Sequence, residues 1–170
     1  MLRFVNKILC IVICITIMIS CTACQTGASK TTITELNKIF KNSKMKITAT
    51  DIKAVKNESG VSDELSGSKD IIIGVEFLVE NISIEEFYFG TKSMPIQAYI
   101  GDFEAEQAIS GTFGSVADLM GKIVPGKKLI GYYSAYAPKD TEKIEIHIRT
   151  EYLPDKYAVF ILDVPSVDEE

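Results

Sequence analysis

Asp70-Ile71-Ile72-Ile73-Gly74-Val75-Glu76-Phe77-Leu78-Val79-Glu80 is the stretch that decides the fold. At a period of two, Ile71, Ile73, Val75, Phe77 and Val79 fall on one face. Ile72, Gly74, Glu76, Leu78 and Glu80 fall on the other. A wholly apolar row backed by a mixed row is the pattern of a half-buried strand with one core face. The β-branched and aromatic content fits a pleated, packed surface. Asn81-Ile82-Ser83 punctuates its end.

The same period continues on both sides. Upstream, Met45, Ile47 and Ala49 alternate with Lys46, Thr48 and Thr50, and Ile52 to Val55 continues the run. This predicts a first strand, separated from the second by the loop-like segment Asn57 to Lys69. Downstream, Ile84 to Phe89 reads as a short strand. Met94–Ile100 and Phe103–Ile109 flank Gly101-Asp102, a two-residue hairpin signal in which Gly supplies the positive φ. Thr112 to Gly121 leaves room for one helical turn. Pro125-Gly126 marks a turn into the Tyr-rich strand Lys127–Ala137. Pro138-Lys139-Asp140 closes that strand, and Ile144, Ile146 and Ile148 alternate with Glu145, His147 and Arg149. Tyr157 to Val164 is apolar on both faces, as a central strand would be. Seven or eight short strands with turn signals every ~8–12 residues predict an all-β, antiparallel sandwich or barrel. Nearer the N-terminus, Thr32-Ile33-Thr34-Glu35 has a capping-box pattern. With Ile33, Leu36 and Phe40 at i, i+3 and i+7, it predicts a short helix over Thr34–Lys41.

Composition narrows the setting. The chain has 170 residues and 4 Cys, all before Gln25. Thiolate metal sites and Cys nucleophiles are therefore excluded beyond residue 24, and no disulfide is available there. Arg3 and Lys7 precede an uncharged run from Ile8 to Ile19, the size and flanks of a secretory h-region. That run is short for a bilayer span, which takes about 20 apolar residues. Met18-Ile19-Ser20-Cys21 then resembles the lipobox of bacterial lipoproteins. The resemblance implies a thioether-linked diacylglyceryl group on Cys21, palmitate-class acyl chains, and cleavage before that residue. Cys24 is the alternative, and plain cleavage after Ala23 stays open. Residues 1–20 are thus assigned to a lipoprotein signal peptide and 21–44 to a lipidated Cys, a basic linker and the short helix. Residues 45–165 are assigned to the sandwich and 166–170 to an acidic tail.

Charge is unevenly spread. The chain carries 18 Lys+Arg and 23 Asp+Glu, net −5. Loss of Arg3 and Lys7 with the leader makes it −7. Gln25–Lys56 holds seven Lys against two acids, and Asn57–Glu170 holds nine basic residues against 21 acids. An acidic domain argues against nucleic acid as partner. A basic segment beside an anchor is drawn to anionic lipid by about 1 kcal/mol per Lys. Lys30, Lys38, Lys41 and Lys44 are therefore the candidate membrane-proximal collar.

Several motifs together look familiar: Ile73-Gly74-Val75-Glu76-Phe77-Leu78-Val79-Glu80-Asn81, the hairpin at Ile100-Gly101-Asp102, Gly121-Lys122-Ile123-Val124-Pro125-Gly126-Lys127-Lys128, Gly131-Tyr132-Tyr133 and Ala137-Pro138-Lys139-Asp140. They are similar to bacterial lipoprotein domains of unknown function with a telokin-like, immunoglobulin-like sandwich, of the immunoprotective extracellular antigen type. The likeness runs from about Met45 to Val164. Ala137 departs from it, standing where an aliphatic is usual. It implies an immunoglobulin-like fold and an extracytoplasmic setting. It carries no catalytic residues over.

No residue pattern announces chemistry. His147, the one His, falls on the polar side of its strand with Glu145 and Arg149, away from any nucleophile the sequence identifies. Asp63-Glu64, Glu85-Glu86 and the alternating Asp102, Glu104 and Glu106 lack the loop that binds Ca²⁺ and read as solvated acids. Phosphate-binding glycine motifs are absent. Tyr132 and Tyr136 share a face opposite Tyr133, and with Phe87 and Phe89 they form a candidate interaction patch, core packing being the competing reading. The expectation is a non-enzymatic lipoprotein without cofactor or metal. Its place is the outer face of a cell membrane, of Gram-positive type, where it presents a binding module to an envelope protein or ligand. An accessory envelope role without a specific small ligand is the alternative.

Overall fold

In the computed structural model, residues 28–58, 69–108, 112–113, 119–151 and 155–167 are described. The signal segment, Cys21 and Cys24 lie outside them, as do most of the 57–69 loop, half of the 112–121 segment and the last acidic residues. Eleven strands are found among the described residues: β1 Ser29–Ile33, β2 Ile39–Lys41, β3 Met45–Lys56, β4 Ile71–Asn81, β5 Phe87–Phe89, β6 Ile96–Ile100, β7 Phe103–Ala105, β8 Gly121–Ile123, β9 Lys128–Ala137, β10 Lys143–Glu151 and β11 Lys156–Asp163. They make an immunoglobulin-like β-sandwich. A four-stranded sheet, β2-β3-β4-β9, faces a five-stranded sheet, β1-β11-β10-β6-β7, and the β5-β8 ribbon completes the architecture. All pairings are antiparallel except β1 on β11, which is parallel.

The core is where the period-two pattern puts it. Ile71, Ile73, Val75, Phe77 and Val79 are all buried. They meet Ile144, Ile146 and Ile148 of β10 and Ala158, Phe160 and Leu162 of β11 in one cluster. Phe77 and Phe160 cross edge to face at 5.1 Å, joining the two sheets. Such a pair adds about 0.5–1.5 kcal/mol beyond its burial. β11 lies inside its sheet, between β1 and β10. In its outer row Val159 is buried while Tyr157 and Ile161 are half-buried, so the strand is covered on both faces only at its middle.

Turn chemistry follows the sequence closely. Gly101 takes φ +59° between β6 and β7. Val124-Pro125-Gly126-Lys127 closes with Lys127 N–H donating to Val124 O at 3.1 Å, and Gly126 takes φ +71°. Pro before a positive-φ Gly is the type II pattern.

Two expectations are corrected. The helix expected over Thr34–Lys41 does not form. Asn37 sits at φ +62° and donates its N–H to Ala49 O at 2.8 Å, which no helix interior permits. Ile33 and Phe40 are instead buried from strands of opposite sheets. A helix this short is marginal alone, and ladder pairing plus core burial outweighs its local signals. The sandwich consequently begins at Ser29, inside the segment assigned to linker, and not at Met45. β8 was also not anticipated. Its three residues carry too little pattern to stand out.

Two short links fix which strand ends lie together. Lys139 N–H donates to Asp70 Oδ2, and Val164 N–H donates to Glu142 O. The start of β4, the end of β9, the start of β10 and the end of β11 therefore share one end, the far end. The opposite end carries Ser29, whose N–H donates to Asp155 O at 3.0 Å. It also carries the β2–β3 turn, the end of β4 and the Val124–Lys127 turn. This is the entry end, where the chain enters the sandwich.

Candidate functional site

The expected aromatic patch is not assembled. Phe89 is fully buried and Phe87 packs against the same core from β5. Tyr132 and Tyr136 do share the outer face of β9, opposite the buried Tyr133, but the protein's own side chains cover them. Phe113 stacks on Tyr132 at 5.4 Å and 21°. The Tyr132 hydroxyl donates to Asp51 Oδ2 at 3.3 Å and accepts from Lys53 Nζ at 3.2 Å. Lys53 Nζ also reaches Asp51 Oδ2 at 3.1 Å, and its bonds to Tyr132 and then Asp51 hold the ammonium above its ordinary pKa. Lys69 lies 5.3 Å over the Tyr136 ring and pairs with Glu106 Oε2 at 2.7 Å. Both rings belong to closed internal networks.

The collar lysines divide. Lys41 and Lys44 flank the β2–β3 turn at the entry end, and Lys30 is exposed on β1 near it. Lys38 sits in the β1–β2 turn, paired with Glu35 at 2.8 Å. Of the acids expected to be solvated, Asp63 and Glu64 lie outside the described residues, and Glu86 pairs with Lys122. Glu104 accepts from Gln97 Nε2 at 3.0 Å, while Glu106 pairs with Lys69. No grouping of His, Cys, Asp and Glu able to hold a metal is found among the described residues.

A different face gathers chemistry. β10 alternates Ile144, Ile146 and Ile148 inward with Glu145, His147 and Arg149 outward. In register, Tyr99 of β6 lies beside Glu145, Gln97 beside His147, and Tyr157 of β11 beside Arg149. The diagonal neighbours touch. The His147 ring lies 4.8 Å from Tyr99 and 6.2 Å from Tyr157, tilted to both. Three rings from three strands thus form one row across the five-stranded sheet. Its borders are polar. His147 Nε2 contacts the Glu145 carboxylate. Arg149 lies 5.9 Å from the Tyr157 ring and donates from Nη2 to Asp155 Oδ1 at 2.6 Å. Burial, then the neighbouring Glu104, pushes the Tyr99 hydroxyl above its ordinary pKa, so it stays a neutral donor. The imidazole is largely covered, its side chain 12% exposed.

This arrangement can offer ring faces to an apolar or sugar-like surface, flanked by the carboxylates of Glu145 and Glu104. Sequence reading had placed His147 on the polar face of its strand, and there it lies. It missed the row, because Tyr99, His147 and Tyr157 become neighbours only through the order of the strands.

Comparison with known proteins bears on the fold. No family model matches the chain, and no curated protein is detectably similar to it in sequence. Among solved structures, the yjhA protein of Bacillus subtilis matches with a TM-score of 0.60 at 16% identity, over 77% of this chain and 100% of that one. A Bacillus subtilis protein provisionally described as a lipoprotein, ycdA, matches with a TM-score of 0.58 at 16% identity, over 76% of this chain. This chain corresponds to 39% of that protein's length. At such identities the likeness is one of fold.

Proposed function

We propose that this chain is a lipid-anchored, extracytoplasmic lipoprotein of the Gram-positive type, and that its sandwich is a binding module rather than an enzyme. Cys21 is the lipidated residue in this reading, with Cys24 as the alternative. The observation that carries the binding role is the Tyr99–His147–Tyr157 row. Aromatic side chains bordered by carboxylates stand on the outer face of a sheet whose other face already supplies the core. Tyr and other aromatics are the residues interfaces favour. The fold likeness to ycdA supports the envelope setting.

Photo-crosslinking in intact cells tests the module. A crosslinking amino acid at position 99 or 157 should give discrete adducts, while one at Ile130, an exposed residue of the opposite sheet, should not. Equal labelling from all three positions would favour the accessory reading. Labelled fatty acid tests the anchor: incorporation should be lost in Cys21→Ser, and its loss only in Cys24→Ser moves the lipid to that residue.

A further inference from the structure

We propose that the entry end of the sandwich docks directly on an anionic bilayer, with Ile84 and Val124 as apolar tips and Lys41, Lys44 and Lys127 as phosphate-facing cations. The proposal rests on the anchor reading above and adds a second, non-covalent membrane contact made by the folded domain.

Among the described residues, Ile84 is the most solvent-exposed of the large apolar side chains, at 94%. It does not hang on a slack loop. Asn81, fully buried, donates from Nδ2 to Glu85 O and to Ile123 O, both at 2.8 Å. Its Oδ1 accepts from the Ser83 N–H at 2.9 Å and the Ser83 hydroxyl at 2.8 Å. One side chain therefore ties the 82–86 loop to β8, just before Val124. Backbone bonds from Ile82 N–H to Lys44 O and from Gly126 N–H to Asn81 O add the β2–β3 and 124–127 turns to the same unit. Holding an isoleucine rigidly in water is unfavourable unless something apolar meets it.

The charges indicate what meets it. Lys41, Lys44 and Lys127 are exposed and form no ion pair among the described residues, whereas Lys46 and Lys128 share Glu80 and Lys122 holds Glu86. At the far end, the exposed charges without an ion pair among the described residues include Glu58, Asp102, Asp140 and Glu142, with Lys56 as the cation among them; at the entry end the acid Glu85 stands unpaired in the same sense beside Ile84, against the three lysines. The unpaired charge is thus net basic where the chain enters and Ile84 projects, and net acidic at the opposite end, where the exposed Phe103 has acids beside it instead of cations. Cations beside an apolar tip match the interface of an anionic bilayer, where each Lys contributes about 1 kcal/mol.

Tether length agrees. From Cys21 to Ser29 are eight residue steps, at most about 28 Å fully extended. From Cys24 the reach is about 18 Å. β4 alone, with 11 residues, is about 36 Å long. The lipid therefore keeps the entry end within contact of the membrane, at high effective concentration. Docking it leaves the far end outward and the Tyr99–His147–Tyr157 face at the side.

The test uses the lipidated protein, with Cys24→Ser, in vesicles of phosphatidylglycerol and phosphatidylcholine. An environment-sensitive fluorophore is attached at Ile84→Cys or, as control, at Asp102→Cys, and quenched by spin-labelled lipid. Quenching should be several-fold stronger at 84 than at 102. It should fall to the control level with Lys41→Glu/Lys44→Glu/Lys127→Glu and in about 1 M salt, where the Debye length is about 3 Å, while the protein still floats with the vesicles. A protein that floats but leaves position 84 as water-exposed as 102 overturns the docking and keeps the anchor. A probe at 84 shielded equally without vesicles points to a second copy as occupant and also overturns it. Failure to carry lipid and to float, in this variant and in its Cys21→Ser counterpart alike, overturns the anchor, and the docking with it.

Discussion

Asn81 closes β4 with a fully buried amide that satisfies two carbonyl groups and receives two Ser83 donors. Asn81→Ala strands the Ile123 carbonyl in the interior, and such a loss costs about 1–3 kcal/mol beyond the bonds themselves. We expect a fall of about 2–4 kcal/mol in urea unfolding, with an unchanged m-value. Gly74 is constrained for another reason: a Cβ there would meet the Phe113 ring at 2.4 Å. Gly74→Ala should displace that ring from Tyr132, cost about 1–3 kcal/mol and weaken the near-ultraviolet tyrosine signal. Tyr133 gives a pH prediction. Burial raises its hydroxyl to about 12, with Glu104 adding to the effect. The unfolded value is about 10. The folded state therefore holds its proton more tightly, and this stabilisation is complete below pH ~10 and is lost as pH rises toward 12. Unfolding followed against pH should show that decline, and Tyr133→Phe should remove it. In the sequence, Asn81 was visible as punctuation after a strand. Its acceptors, up to 42 positions away, were not.

Among the elements, β3 shows how a strand can be read correctly and still hold a surprise. Its inward row is Met45, Ile47 and Ala49, then Ile52 and Ala54, so parity changes once. The change occurs at a bulge between Ala49 and Asp51, where Thr50 has no partner of its own on β4. Thr50 Oγ1 bonds Glu76 Oε2 at 2.6 Å, which holds the extra residue outward. A one-residue slip moves every later side chain to the other face. Deleting Thr50 should therefore make the ladder continuous, keep Ile52 and Ala54 inward and preserve the cooperative thermal transition, whereas deleting Thr48, in the regularly paired part, should put Ile47 and Ala49 on opposite faces and lower its midpoint sharply. The period of two made β3, β4, β9, β10 and β11 legible, because each buries one row against one core. β1 and β2 were not, since each sends only one large apolar residue inward, Ile33 and Phe40, into different sheets. Seven residues apart, these two mimic a helical stripe.

For the molecule as a whole, the absence of Cys beyond residue 24 leaves burial and hydrogen bonding to hold the sandwich. Its melting temperature should be the same with and without reductant, and a shift would reveal a covalent link between chains. The uneven charge could be counted in the sequence, but its division between two ends appeared only with the strand directions. The same holds for the aromatic row. The parallel pairing of β1 with β11 has a mechanical consequence. The two strands run the same way, from the entry end toward the far end, over five register pairs. A membrane tether pulls β1 back through Ser29. A load gripping the far end, beyond Asp163, pulls β11 the opposite way. The ladder is then sheared along its length, so its hydrogen bonds strain together instead of opening one by one. Stretched from its two termini, the domain should resist force well above what the same bonds withstand when peeled.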